Sequence, residues 1–180
     1  MNNSEKQHVM RPQDIVILLK KLTPKGRSMN GKEMAESLGI SAAEISMAME
    51  RNRRAQLVDS SKNNVNVLAL KEFIIYGIKY CFPAEQGKIV RGTPTASSAD
   101  PIVQFLASNG NNFVWRDPLG AVRGQSITPL YPAVVEAVKK DSDLYALLAI
   151  VDAIRIGTIR ERQIAIDCLE RYLQNHVTTK

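Results

Sequence analysis

The stretch from Gly31 to Val58, GKEMAESLGISAAEISMAMERNRRAQLV, decides how the chain folds. Its first part carries apolar residues at helical spacing up to Leu38, and Gly39 follows where a left-handed residue commonly ends a helix. Ser41 lies two residues after Gly39, and Ser41 and Glu44 have the spacing of a capping box, which marks the start of a helix. The stretch therefore predicts two short helices joined by a tight turn.

The second predicted helix, from about Ala42 to Ala55, has two different faces. At about 100° per residue, one face is apolar except for Asn52, whereas the opposite face begins with small residues and ends with arginines. Two helices joined by a short turn containing glycine form a helix-turn-helix unit, whose second helix enters the DNA major groove. Small residues let a helix approach base edges, and arginines reach phosphates or guanine. The residues of this helix predicted to contact DNA are Ser41, Ala43, Ser46, Met47, Glu50, Arg51 and Arg54.

A β-hairpin is predicted directly after this helix. Two β-prone runs, Gln56–Asp59 and Val65–Leu68, flank a polar turn rich in Asn and Ser. A hairpin at this place would be the wing of a winged helix. Lys62, Asn63 and Asn64 lie at its tip, where they are predicted to touch the DNA backbone or minor groove.

Residues 11–70 resemble the winged helix-turn-helix regulators, most closely those of the MarR type. The resemblance is carried by ISMAMER at Ile45–Arg51 and AQLV at Ala55–Val58. It implies a winged-helix fold, double-stranded DNA as a partner and a role in transcription. Asn52 stands where a leucine is usual in that family, and Gln56 where a glycine is usual. A winged helix that contacts only other proteins remains the alternative.

The distribution of charge favours DNA binding. The chain has 180 residues and a formal net charge of +6. Residues 1–80 hold 13 Lys and Arg against 8 Asp and Glu, whereas residues 81–180 hold 11 against 10. An excess of positive charge in the first part fits the electrostatic footprint of a nucleic-acid-binding domain. A merely basic surface is the alternative.

Composition and motifs exclude several classes of protein. No run reaches the ~18 consecutive apolar residues of a membrane span, and the polar N-terminus lacks a signal-peptide core. We therefore expect a cytoplasmic protein without a membrane partner. Cys81 and Cys168 lie in apolar contexts and are expected to be buried free thiols. No metal site, cofactor site, nucleophile–base pair or phosphate-binding loop is recognisable, so an enzyme is not expected.

The rest of the chain predicts a mostly helical region with a few short strands. The apolar segment 71–82 is predicted as a helix because of its length, with a buried strand as the alternative. Residues 84–101 are predicted as a long irregular loop. Residues 144–156 are apolar beyond one face, which indicates the central helix of a core.

The predicted fold class is mainly α with a small β-hairpin wing. A flexible tail covers residues 1–10, and a winged helix-turn-helix domain covers residues 11–70. A mostly helical C-terminal domain, residues 71–180, would dimerise, sense an effector or hold a partner.

This second part is similar to the C-terminal region of a little-characterised set of bacterial proteins that pair it with a MarR-like winged helix. The similar elements are Lys79–Pro83, Arg91–Ala96, Trp115, Asp117–Pro118, Arg123–Gly124, Pro129–Tyr131 and Asp152–Arg162. The similarity implies a shared fold and regulation of a neighbouring gene, but no chemistry.

Four arginines suggest an anion or partner site in the second part. Val-Arg-Gly occurs at 90–92 and again at 122–124, and two more arginines open the last predicted helix. Helix N-termini and the planar fork of arginine both favour phosphate or carboxylate. Local pairing with internal carboxylates is the alternative. The candidate residues are Arg91, Arg123, Arg160 and Arg162.

Taken together, the sequence predicts a sequence-specific DNA-binding regulator, a homodimer that acts as a repressor. The alternative is a protein-interaction module, such as an antitoxin-like inhibitor that holds its partner through the second part of the chain.

Overall fold

The computed structural model describes residues 9–106 and 112–177. Within these ranges the chain is mainly helical with a small three-stranded sheet, which confirms the expected mainly α class. No helix in the described ranges is long and apolar enough to cross a membrane. Most of the predicted flexible tail, residues 1–8, lies outside the described residues.

The helices, in chain order, are α1 (Pro12–Leu22), α2 (Pro24–Arg27), α3 (Gly31–Leu38), α4 (Ala42–Arg54), α5 (Val67–Glu72), a π-helical turn (Phe73–Gly77), α6 (Ile78–Cys81), α7 (Val134–Val138), α8 (Ser142–Ile156) and α9 (Ile159–Val177). The strands are β1 (Gln86–Pro94), β2 (Phe113–Arg116) and β3 (Val122–Ile127), and short 3₁₀ turns lie at Ala96–Ser98 and Val103–Phe105.

Helix α1 lies at the centre of the fold. Residues Ile15–Leu19 are all fully buried, so the helix is covered on every side. It contacts both α4 and α8. At its end the ammonium of Lys20 forms a buried ion pair with Asp141, whose carboxylate also accepts a hydrogen bond from the amide of Leu144 and so caps α8. The apolar core is continuous across the domain boundary predicted after Leu70.

The predicted pair of helices around Gly39 is present. Gly39 has a φ of +63°, the left-handed conformation expected at this turn. The hydroxyl of Ser41 accepts a hydrogen bond from the amide of Glu44 at 3.1 Å and begins α4. The return bond of the predicted capping box does not form, because the Glu44 carboxylate accepts instead from Arg51.

The predicted hairpin after α4 is wrong, because neither of its two predicted strands forms. Val58 pairs with Val65 through a β-bridge, but the chain is already helical from Val67. The side chain of Asn66 accepts an amide hydrogen bond in the first turn of α5, and this cap ends the extended segment. The predicted wing is therefore a polar loop, residues 59–64, closed by that bridge.

The apolar segment 71–82 is helical rather than a strand, and it includes the π-helical turn. A π turn disturbs the regular backbone bonding of a helix, and here the carbonyl of Ile75 accepts a hydrogen bond from Arg162 of α9 at 2.7 Å. Cys168 is buried, as predicted, and burial raises the pKa of its thiol. The expectation for Cys81 is wrong, since its side chain is exposed.

Residues 84–101, predicted as an irregular loop, contain strand β1. β1 pairs antiparallel with β3 and, at its end, with β2, while β2 and β3 pair in parallel. The glycines of the two Val-Arg-Gly repeats lie where backbones approach closely. A Cβ added to Gly92 would lie 2.1 Å from the carbonyl oxygen of Trp115. A Cβ added to Gly124 would lie 2.4 Å from the carbonyl oxygen of Asn112. The repeat therefore marks two close approaches between neighbouring segments.

A buried carboxylate on α8, Asp152, fastens the sheet to the helices. It accepts hydrogen bonds from the Trp115 indole at 2.7 Å, the Thr95 hydroxyl at 2.9 Å and the Arg155 guanidinium at 2.7 Å. Burial raises the pKa of Asp152, and the charge of Arg155 opposes that shift. Arg155 also donates to backbone carbonyls before β1 and after β3, so it holds the end of the sheet where β1 begins and β3 ends.

Helix α4 ends in a Schellman motif whose left-handed residue is Gln56. The amide of Leu57 donates to the carbonyl of Asn52 at 2.9 Å, and the amide of Gln56 to that of Arg53 at 3.0 Å. Gln56 has a φ of +59°, although it carries a side chain. Gln56 thus adopts a conformation that favours glycine.

We expect Gln56→Gly to stabilise the protein. The substitution relieves left-handed strain of about 1 kcal/mol, and the exposed Gln56 side chain contributes little packing. The free energy of unfolding in urea should rise by about that amount. Ala55→Gly is the matched control: φ at Ala55 is −77°, so glycine there should lower stability by about 0.5–1 kcal/mol. A Gln56→Gly protein no more stable than the parent would contradict the strain.

Candidate nucleic-acid interface

One face of the N-terminal half of α4 is exposed. Ser41, Ala43, Ser46 and Met47 all face solvent, as predicted, and Met47 keeps 41% of its surface accessible. These side chains are short or flexible, and none is charged. Such a surface allows another molecule to approach the helix closely.

Arg51 corrects the prediction, because it is buried rather than on the outward face. It is 2% exposed, and its Nε and Nη2 donate to the two carboxylate oxygens of Asp14 on α1, both at 2.7 Å. Nη2 also contacts Glu44. These carboxylates raise the pKa of Arg51, with the Asp14 hydrogen bonds the largest cause. Arg51 lies at the edge of the predicted outward face, and its long side chain turns inward to neutralise a buried acid. It is not available to DNA.

Asn52, the polar residue on the inward face, belongs to the same buried group. It is fully buried, and its amide nitrogen donates to the backbone carbonyl of Asp14 at 3.2 Å. The Asn52 side-chain oxygen has no hydrogen-bond partner among the described residues. An asparagine therefore replaces an apolar contact between α4 and α1 with a directional one.

The cations at the other end of α4 converge on one carboxylate. Glu50 binds Arg53 through two hydrogen bonds of 2.7 and 3.0 Å, Arg54 at 3.1 Å and Lys62 at 2.8 Å. These partners, Arg53 first among them, hold the pKa of Glu50 well below its usual range. Because three cations share one carboxylate, this surface keeps a positive charge. We call Glu50, Arg53, Arg54 and Lys62 the Glu50 cluster.

The loop that replaces the wing is organised by Asp59. Its carboxylate accepts hydrogen bonds from the Ser61 hydroxyl at 2.9 Å, the Asn63 amide at 3.0 Å and the Asn64 side chain at 2.7 Å. These contacts, that with Asn64 the strongest, lower the pKa of Asp59 to about 2. The Asn64 side chain is thus already used within the loop, whereas Asn63 points outward. Through Lys62 the loop lies against α4, so the structure brings the two predicted halves of the interface together.

Arg53 was missed by the sequence analysis. It is half-buried beside the exposed face and pairs with Glu50 three residues earlier. The spacing of Glu50 and Arg53 is that of a helical ion pair, so the signal was present in the sequence.

The second predicted site is only partly assembled. Arg91 and Arg123 face each other across β1 and β3, both exposed, and neither forms an ion pair within the described residues. Arg91 has one weak contact, with the Gly120 carbonyl at 3.4 Å. Arg160 is exposed in the first turn of α9. Arg162 donates to the Ile75 carbonyl of the π-helical turn at 2.7 Å, and its role in an anion site stays a prediction.

We expect Arg51→Ala to destabilise the fold rather than act on a ligand. The substitution leaves Asp14 buried without its counter-ion, which costs about 3–5 kcal/mol for a buried pair. Urea denaturation should show this loss. Arg54→Ala is the matched control, since Arg54 is exposed on the same helix, and stability should hardly change. Equal stability of the two variants would show that the buried pair does not hold α4.

The comparisons with known proteins give no match: no protein-family model, no curated protein and no solved structure matches the chain. A function for the chain therefore rests on the geometry and charge of its own residues.

Proposed function

We propose that the protein is a sequence-specific DNA-binding transcriptional regulator that acts as a homodimeric repressor. The observation that carries the proposal is the helix pair around Gly39, which leaves one face of the N-terminal half of α4 exposed, with the uncharged side chains of Ser46, Ala43 and Met47. In helix-turn-helix proteins the corresponding end of the second helix reads base edges in the major groove.

Each part of the interface has a separate role in this proposal. The Ser46 hydroxyl donates to or accepts from a base edge, while Ala43 and Met47 contact the methyl group of thymine. Arg53, Arg54 and Lys62 contact phosphates, which fix the register without reading sequence.

A homodimer fits this mode of recognition. Helix-turn-helix dimers bind two half-sites about one helical turn apart. Leu68 of α5, Tyr76 of the π-helical turn and Tyr80 of α6 are exposed by 65%, 70% and 73%, and large apolar side chains of this kind favour contact with a second copy. Bound across a promoter, such a dimer would repress transcription by occupying the DNA.

A protein-interaction module, such as an antitoxin-like inhibitor, is the second candidate. It is favoured by large apolar side chains that the C-terminal part exposes, with Leu119 at 87% and Ile159 at 92%. In that case a partner protein would co-purify stoichiometrically, and DNA binding would lack sequence preference. Both candidates are binding proteins rather than enzymes.

The DNA-binding proposal predicts that Ser46→Glu weakens specific binding. A carboxylate on the exposed half of α4 meets the negative potential of the groove, so affinity for a DNA site selected from random sequence should fall at least tenfold, or about 1.4 kcal/mol. Fluorescence anisotropy at two salt concentrations measures it, and the same titration gives the number of chains per site.

Ser142→Glu is the control for this experiment, because Ser142 is an exposed serine in the first turn of another helix. It adds the same charge away from α4 and should bind DNA like the parent. If no DNA is selected, or if both variants bind equally well, α4 is not a recognition helix.

Removing the carboxylate of the Glu50 cluster should strengthen DNA binding. In Glu50→Gln the three cations no longer share a carboxylate and are free to bind phosphates. We expect higher affinity for any sequence, and a salt dependence that is steeper by about one unit of slope for each further phosphate that the protein neutralises. Glu170→Gln, which removes the carboxylate of the Lys71 ion pair in α9, gives the same change of net charge as a control. Identical salt slopes for both variants would place the Glu50 cluster outside the interface.

A further inference from the structure

A cavity of about 360 Å³ lies between the sheet and α7. The start of β1, the ends of β2 and β3 and the segment leading into α7 form its walls. One side is polar, with Arg116 and Ser126, and the other is apolar, with Pro132 and Val135. The volume falls at the lower end of the roughly 300–1,000 Å³ of small-molecule pockets. A compact ligand with one polar group and a short apolar body therefore fits.

Arg116 supplies the charge of this cavity. It ends β2, it is exposed, and among the described residues it has no ion-pair partner. The Glu85 carboxylate at the rim forms no ion pair with Arg116 within the described residues. A guanidinium without a carboxylate presents a planar fork that binds carboxylate or phosphate through two hydrogen bonds.

A bulge in β1 adds polar groups to the same wall. The strand register shifts between Gln86 and Ile89, so two residues of β1 lie opposite Ser126 alone. One of them is Gly87, where a Cβ would lie 2.4 Å from the Ser126 hydroxyl oxygen. The glycine thus lets this hydroxyl lie against the strand, at the cavity.

The segment that carries the apolar wall also touches the helix pair, through two residues that flank Pro132. The hydroxyl of Tyr131 donates to the carbonyl of Gly39 at 3.4 Å, and the methyl group of Ala133 lies 3.4 Å from where a Cβ of Gly39 would be. Helix α7 packs on α3. A ligand that contacts Pro132 and Val135 therefore presses on the segment that supports the turn before α4.

We propose that this cavity binds a small organic anion, a carboxylate or phosphate ester with a short apolar body, through Arg116, and that its occupancy shifts the turn at Gly39. Binding of the anion does not depend on the proposed function. The consequence of a shifted turn, a change in DNA affinity, rests on the proposed function.

The binding step is tested with hexanoate, followed by the amide NMR signals of Gly87, Ser126 and Thr128. Hexanoate should shift these signals with a dissociation constant of about 10 mM or below. Inorganic phosphate lacks the apolar chain and 1-hexanol lacks the negative charge, so both should bind more weakly than hexanoate.

Two variants make this test specific. Arg116→Gln should weaken hexanoate at least tenfold, whereas Arg123→Gln, on the opposite face of the sheet, should not. No shifts with any of the three probes, or equal loss in both variants, overturns the site. If phosphate binds as tightly as hexanoate, the claim that the ligand has an apolar body is wrong.

The coupling step compares hexanoate affinity with and without the selected DNA site. Coupling is reciprocal, so a change in DNA affinity on adding hexanoate must equal the change in hexanoate affinity on adding DNA. Tyr131→Phe should bind hexanoate as the parent does, but hexanoate should then shift the amide NMR signal of Gly39 less than it does in the parent. If hexanoate binds through Arg116 but no DNA site exists, the proposed function fails and the cavity stands. If DNA binds and hexanoate leaves DNA affinity unchanged, the coupling is wrong.

Discussion

The buried ion pair between Asp14 and Arg51 decides how α4 lies on the protein. A carboxylate that is fully buried must be paired, and two hydrogen bonds of 2.7 Å from one guanidinium satisfy it. Rotation of α4 about its axis by one residue would break both hydrogen bonds between Arg51 and Asp14 and leave the Asp14 carboxylate unpaired in the core. The pair therefore sets which side chains of α4 face outward, and the exposure of Ser46 and Met47 depends on it.

A second buried pair fixes the other end of α1. Lys20 binds Asp141, and Asp141 also caps α8, so α1 is tied at its start to α4 and near its end to the central helix of the second part. Buried pairs of this kind specify an arrangement more than they add stability. The consequence is one continuous core rather than two loosely joined parts. A shift near α7 or α8 can therefore reach the helix pair through packed side chains instead of a flexible linker.

The features recovered from the sequence are those with local signals. Gly39 and Ser41 carry the turn within a few residues, and the helix at 71–82 follows from its length and apolar character. The partner of Arg51 lies 37 residues away on another helix, so the periodicity of α4 alone puts the arginine outside. Strand β1 depends on partners in β2 and β3, and its glycine at Gly92 resembles loop sequence until the opposing backbone is in place. The predicted wing does not form because the cap at Asn66 competes with a second strand over the same residues.

The Glu50 cluster gives the proposed interface a particular electrostatic character. Its cations are already paired inside the protein, so a phosphate must displace Glu50 before it meets their full charge. Each phosphate that binds there then contributes less affinity than it would with free cations, and binding to arbitrary sequence is weakened. The proposed base contacts of Ser46 and Met47 would not be affected, because neither side chain takes part in the ion pairs of the cluster. Specificity is the difference between the affinity for the specific site and the affinity for other DNA. Weaker phosphate contacts lower both affinities, but a larger share of the remaining affinity for the specific site then comes from base contacts. An acidic residue in the middle of a basic surface is in this way compatible with recognition of DNA.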